Sequence, residues 1–448
     1  MTPRPEPADP WAPYSPDASN PWDVRRIVHL HRRGGFGATW AEIQRDLADG
    51  PEASVGRLLD GTSRLSGVPE GFERTSTLLA DSALASTDPG RLKAWWVYRM
   101  AFGPDPLGER LTLLWHDHFA TSNAKVEDLG AIRRQNEALR RLARAPFADL
   151  LGAAVRDPAT LKYLDAPSNR KGHPNENLAR ELMELFTLGV GHFAEADVKE
   201  SARALTGWTV TDGKYENVPG RHDDGPKSIL GRSGPWTGDD LIGILLDHPA
   251  TPLRLASRLA GLFFGEGAIG PGAVASLADR LRADGLHLGR GVATILRSRA
   301  FFDRSNLGNR VSGPVEAVLA PARALELLDP PPSTLVLADW AARLGQDLFY
   351  PPNVGGWPGG RAWLSTRAVV ARANYAAALV EGRGVGRPSP LDPLTLLAAH
   401  GRDDLPRFLA DLLFGAEPAP GWIARVEAAG DPRAIAARAL ASPEAQLC

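Results

Sequence analysis

The sequence predicts a mainly α protein, multi-helical and globular, with one small β-hairpin or loop excursion near residues 208–236. Apolar residues recur at helical spacing in many segments, each bounded by Gly, Pro or Asp. Strict alternation of apolar and polar residues is scarce, so no large sheet is expected. β-branched and aromatic residues interrupted by Asp-Gly, Pro-Gly and Asp-Asp-Gly gather in one stretch, WTVTDGKYENVPGRHDDGPKSILGRSGPW (208–236).

Residues 1–21 are rich in Pro, Asp and Ser and read as a disordered or extended arm. A helical pattern from Asp23 to Leu47 is broken by Gly34-Gly35-Phe36-Gly37. Further helices are expected at 40–60, 73–85, 90–102, 107–119, 128–144 and 146–155. The clearest is 174–190. Pro174 suits a first turn, Leu178, Leu182, Leu185 and Phe186 form one apolar face, and Gly189 and Gly191 supply the stop. A second, near 195–206, places Val198, Ala202 and Leu205 on one side. Helices resume at 238–247 and 251–264. FYPPNVGGWPGGRAWLST (349–366) is a Gly/Pro/Trp loop leading into a helix at 368–379, capped by Ser365 or Thr366.

LAGLFFGEG (259–267), a helix, and ILRSRAFFD (295–303) are echoed by LADLLFGAE (409–417), a helix, and ALASPEAQL (439–447). The organisation is therefore an arm at 1–21, a helical core at 22–385 carrying the candidate site, and a C-terminal helical segment at 386–448 that repeats 250–303.

The chain has 448 residues, 43% hydrophobic and 23% charged, with a net charge of -2. It is long enough for more than one core, and without a basic stripe it does not read as a nucleic-acid binder. The one cysteine, Cys448, excludes a disulfide framework and sits in what reads as a frayed tail. The N-terminus has no apolar signal core, and no run approaches the ~18 apolar residues of a membrane span. Cytoplasm is the expected compartment. Only seven of the 51 basic residues are lysine, and six of these lie between 125 and 227. An ammonium and a guanidinium are not equivalent at a tight site, so this clustering points to that segment.

Four phrases occur in order: LLWHDHFATS (113–122), PNENLARELMELFTLGVGHF (174–193) with DVKESARALTGW (197–208), HDDGPKSILG (222–231) and PPNVGGWPGG (351–360). Together they resemble the bacterial family catalogued as domain of unknown function 1800, over about residues 24–380. The resemblance carries no established activity. It implies frequent export signals, which this sequence does not show, and a sulfatase-like partner of the domain of unknown function 1501 family.

On a helix, His116 and His118 differ by about 200° and cannot share one metal ion. On a strand they could, but the alternating strands of a barrel are missing. The plain alternative is a hydrogen-bonded core His118 and a surface or capping His116. Asn177, Arg180, Glu181 and Glu184 fall in one sector of the 174–190 helix, opposite the leucines. They read either as a solvated face of i,i+4 pairs or as a buried site. His222-Asp223-Asp224-Gly225-Pro226-Lys227 sets an imidazole, two carboxylates and an ammonium on one loop, with a self-capped Asp turn as the alternative. Asn353 to Gly360 is neither a phosphate loop nor a dinucleotide motif, and Trp357 reads as a core plug. No GxSxG is present.

The expected enzyme is a metal-assisted hydrolase or transferase acting on a polar or anionic substrate. Glu181, Glu184 and Asp223 would hold a divalent cation (Mg, Mn, Ca or Fe) or move protons. His116 or His222 would act as base, and Lys227 or Arg180 would stabilise charge. The other expectation is a non-catalytic partner or chaperone of a sulfatase-like protein.

Overall fold

A computed structural model describes residues 9–65, 68–265, 267–415 and 418–448. Among these residues 60% of the structure is helical, in 22 helices, beside two antiparallel two-stranded sheets. The chain opens with α1 (Val24–Gly34), α2 (Trp40–Leu59), α3 (Phe72–Ala85), α4 (Pro89–Phe102) and α5 (Pro106–His118). Then come α6 (Asn123–Val126), α7 (Leu129–Leu142), α8 (Phe147–Val155) and α9 (Pro158–Tyr163). α10 (Asn177–Glu181) passes directly into a π-helical segment, Leu182–Thr187, and α11 (Glu195–Ala204) follows. β1 (Trp208–Thr211) pairs with β2 (Lys214–Asn217), and β3 (Lys227–Ile229) with β4 (Arg232–Gly234). The remaining helices are α12 (Gly238–Asp247), α13 (Ala250–Phe263), α14 (Pro271–Ala283), α15 (Leu288–Leu296), α16 (Pro314–Ala324), α17 (Thr334–Arg343), α18 (Thr366–Glu381), α19 (Pro393–Ala399), α20 (Leu405–Leu413), α21 (Trp422–Glu427) and α22 (Pro432–Ala441).

Many helix starts follow one local code, an Asp cap followed by Pro at the first position. Asp88, Asp105, Asp157, Asp392 and Asp431 each accept from a first-turn amide, and the next residue is proline. The carboxylate satisfies an orphan donor, and the proline occupies a position whose N–H has no helical partner. α2 is kinked at Gly50 (φ 84), where Pro51 begins a second half.

The side chains pack into two hydrophobic cores. One gathers α1–α4 with α16–α22, and the other is built from α5 and α7–α15. α1 and α5 form walls shared by both: Ile27 and Leu113 face the first core, Leu30 and Leu111 the second. The segment 386–448 is therefore not set apart, because Phe408, Leu409 and Leu440 share a core with Ile27 and Trp40. The two sequence echoes are each a three-helix unit, α13–α15 and α20–α22, and the first helix of each packs on α1.

Residues 1–8 of the expected arm lie outside the described residues. Residues 9–21 are strapped to the body rather than loose. Trp11 is buried with its indole N–H on the Ala273 carbonyl at 3.1 Å, and Tyr14 packs on Phe302 with ring centroids 4.6 Å apart. Cys448 is not frayed either: it is buried, and its N–H donates to the Arg310 carbonyl at 2.8 Å. No described helix is long and apolar enough to cross a membrane.

Glu42 of α2 is fully buried and accepts from the Thr39 and Leu65 amides, both at 3.0 Å, and from Arg323 of α16. Glu42→Ala strands a buried guanidinium, so urea unfolding should register a loss of about 3–5 kcal/mol. Asp339→Ala, which breaks an exposed i,i+4 pair with Arg343, should stay within about 0.5 kcal/mol in the same measurement.

Candidate functional site

α5 is buried on all sides, with every residue except Asp117 in the interior. Its polar side chains therefore point into protein, and the expectation of a surface or capping His116 is overturned. His116 is wholly buried among Trp96, Phe349 and Trp357, with ring centroids at 5.1, 5.5 and 5.8 Å. Among the described residues neither of its nitrogens has a hydrogen-bond partner, and burial pushes the imidazole down to about 3. A neutral, sealed ring cannot serve as the base expected of it. His118 is the hydrogen-bonded core histidine, its Nε2 3.1 Å from the Phe186 carbonyl. Asp117 faces the other way. Its carboxylate pairs with Arg258 at 2.8 Å and accepts the Trp357 amide at 2.8 Å. Gly356 (φ 83) approaches so closely that a Cβ would stand 2.2 Å from Asp117 Oδ1, so that turn requires glycine.

The 174–190 motif begins as an α-helix and widens after Glu181. In the π segment the Thr187 hydroxyl donates to the Leu182 carbonyl at 2.6 Å. The carbonyls of Leu185 and Phe186 fall in the last turn, where helical partners run out, and they accept from Arg254 and meet His118. The wider spacing turns the apolar face, so that Met183 is fully buried while Leu185 is only partly so. Arg180 already holds two carboxylates, Glu195 at 2.7 Å and Glu176 at 3.0 Å. Glu181 and Glu184 form no hydrogen bond or ion pair among the described residues. Burial raises the proton affinity of Glu181, and Glu184 raises it further against the pull of Arg180.

Beside Glu181 lies Tyr163, and next to that phenol Lys125 and Asp165 join Asn177, of which only Asn177 was marked with Glu181 in the sequence. The Tyr163 phenol at the end of α9 is pushed up by burial and then by Glu181. Lys125 of α6 donates to Asp165 Oδ2 at 2.8 Å and to the Tyr163 carbonyl at 2.7 Å. Asn177 donates to the same Asp165 oxygen at 3.0 Å. Asp165 itself has φ 56, a left-handed conformation that costs a non-glycine residue and recurs at functional sites. The clustering of lysines between 125 and 227 was the only sequence signal for Lys125, and nothing marked Tyr163 or Asp165.

The His222–Lys227 loop proves largely self-satisfied. Asp223 is gripped by Arg203 of α11 through two bonds of 2.8 and 3.2 Å and accepts the Gly225 amide at 2.9 Å. These contacts, led by Arg203, lower its carboxyl to about 2. Lys227 is buried and donates to the Gly225 carbonyl at 3.1 Å and to the Asp223 carbonyl, so its ammonium cannot receive an anionic substrate. His222 Nδ1 lies 2.9 Å from the Thr206 carbonyl, which fixes the ring but places it among the partners of α11. Glu181, Glu184 and Asp223 are thus not one cluster. Among the described residues no group of three or more His, Cys, Asp or Glu side chains is arranged to hold a metal ion.

A family model described as "Protein of unknown function (DUF1800)" matches residues 29–447. No curated protein and no solved structure matches the chain.

Asp223 has a depressed folded-state pKa, so its stabilisation is present above its unfolded value and is lost as pH falls through about 2. Asp223→Asn should melt lower than wild type at neutral pH, and the gap should close between pH ~4 and ~2 in thermal scans.

Proposed function

The chain belongs to the DUF1800 family, and we propose that it is an enzyme of hydrolase or transferase type. It acts by proton transfer on a polar substrate carrying an anionic group, at the face where Glu181, Tyr163, Lys125, Asp165 and Asn177 meet. The observation that carries this reading is the Glu181 carboxyl. It is partly buried and without a hydrogen-bond or ion-pair partner among the described residues, its proton affinity is raised, and it lies within electrostatic reach of a phenol. Acid–base catalysis calls for a carboxyl moved toward the working pH. Lys125 is exposed and paired with a half-buried Asp165. It is a positive charge that an incoming anion can recruit by exchanging partners.

A divalent cation (Mg, Mn, Ca or Fe) would find two carboxylates here, Glu181 and Glu184. The third expected ligand, Asp223, is held by Arg203. The residues do not fit the three-carboxylate centre expected from the sequence, and the proton-transfer reading needs no metal. The alternative, a non-catalytic partner of a sulfatase-like protein of the DUF1501 family, draws on apolar side chains exposed near the same motif. Val190, just after the π segment, is 78% exposed, and Leu253, beside Arg254, is 40% exposed.

A raised carboxyl contributes stability below its unfolded pKa and loses it as pH rises through the folded value. Glu181→Gln should therefore melt above wild type at pH 7–8, with the difference gone near pH 4. Screened against esters, phosphoesters and acyl or phosphoryl donors, wild type should turn over one class. Glu181→Gln should lose that turnover and Lys125→Ala should bind the substrate more weakly. Equal rates in Glu181→Gln would sink the reading, and co-purification of a DUF1501 protein abolished by Val190→Asp would favour the alternative.

EDTA and added Mg, Mn, Ca or Fe should leave the wild-type melt unmoved. A cation bound only by the folded state would add about 2.7 kcal/mol at a hundredfold excess over Kd, which a melt resolves easily.

A further inference from the structure

A cleft of about 660 Å³ is lined by Thr87, Asn123, Glu127, Asp128, Lys162 and Tyr350, with Pro89 and Leu129 among its apolar residues. α6 and α9 contribute to it, and the same helices carry Lys125 and Tyr163. Binding in the cleft does not depend on the acid–base reading of Glu181.

Its polar groups can be reached from solvent. The side chains of Lys162 and Asp128 are 38% and 33% exposed, Glu127 is exposed, and Tyr350 is half-buried. Much of their hydrogen-bonding capacity is also unspent. Lys162 Nζ donates to Asp128 Oδ2 at 3.2 Å, and its other N–H groups have no partner among the described residues. Asp128 Oδ1 caps α7 through the Ala131 amide at 2.9 Å, which leaves lone pairs on Oδ2. Glu127 makes no hydrogen bond or ion pair among the described residues.

The Tyr350 phenol is oriented by Asn123. Asn123 Oδ1 accepts the Asp128 amide at 3.1 Å, so its Nδ2 is the end that donates to the phenol oxygen, at 2.9 Å. The phenol therefore acts as acceptor toward Asn123, and its own proton is given to no described residue. Thr87 and Glu127 both hold φ 51. Glycine would adopt that conformation without steric cost, so the backbone calls for a side chain at neither place, and strained residues of this kind cluster at binding sites.

The pattern of donors and acceptors selects the ligand. The Lys162–Asp128 pair sets an ammonium and a carboxylate side by side. A hydroxyl uses both, accepting from the first and donating to the second. An anionic ligand would meet Glu127 and Asp128, and a cationic one would meet Lys162. The Tyr350 ring already carries Lys93 Nζ at 4.3 Å, which further disfavours a cation. Pro89 and Leu129 offer apolar surface to the C–H groups of a ring.

We propose that this cleft binds a neutral polyol, a sugar or a cyclitol, with hydroxyls bridging Lys162 and Asp128 and others on Tyr350 and Glu127. The full chain is titrated with methyl α-D-glucoside, methyl α-D-galactoside, methyl α-D-mannoside and myo-inositol, by calorimetry and saturation-transfer NMR. D-Glucose 6-phosphate and D-glucosamine serve as charged controls. At least one neutral polyol should bind saturably, a glycoside identifying a sugar and inositol a cyclitol, and neither charged control should bind more tightly. Lys162→Met should weaken that binding about tenfold or more, and Glu127→Gln about threefold or more. Glu127→Gln gives up no partner among the described residues, so it carries the test should Lys162→Met fail to fold. The proposal is overturned if no neutral polyol saturates up to about 100 mM. It is equally overturned if a charged control binds more tightly than every neutral polyol, or if either folded variant binds like wild type.

Discussion

Glu109 accepts from Arg99 of α4, from Arg140 of α7 and from the Trp96 indole, deep between the helices that carry them. The same device recurs at Glu42 with Arg323 and at Glu316 with Arg110 and Arg310. Each is a carboxylate withdrawn from water and bound by at least one guanidinium from another helix. Apolar contacts alone would let two cores slide along α1 and α5, because dispersion and area burial carry little directional information. A buried carboxylate fixes register, since it is tolerable only when its partners stand at hydrogen-bond distance. The placement of α5 between the cores, and with it the enclosure of His116 and the outward turn of Asp117, follows from these joints.

This constraint explains which parts of the fold were legible in sequence. Helix limits such as 72–85, 106–118 and 238–247 fall where Asp-Pro caps, Gly stops and apolar spacing put them, because those signals act within one turn of chain. The two hairpins fall inside 208–236 for the same local reason. Burial of a whole helix is not local. α5 carries Glu109, Arg110, Thr112 and His116, which on an amphipathic reading would mark a wet side. Only the partners supplied by α4, α7 and α16 make that side an interior.

The candidate site shows the same divide. Glu181 stood out because of its helix neighbours, and it does remain unpartnered. The titratable run at 222–227 stood out more and is mostly a structural clasp. Its Asp223 ties β3 to α11 through Arg203, and its lysine folds back on carbonyls of its own turn. Density of ionisable residues in a short loop signals that their charges must be satisfied, and the nearest means is one another. Tyr163, Lys125 and Asp165 escaped notice because their association depends on α6, α9 and α10 meeting in space.

The π segment at 182–187 has one further consequence. A π turn is an α-helix carrying one residue more than its path requires. Removing any one residue from that stretch would let it rewind, turning all that follows by about 100° relative to Glu181. The Leu185 and Phe186 carbonyls would swing with it, away from Arg254 and His118, which would lose their acceptors. In this part of the chain the count of residues, more than the identity of any one, holds the carboxylate face to the helices behind it.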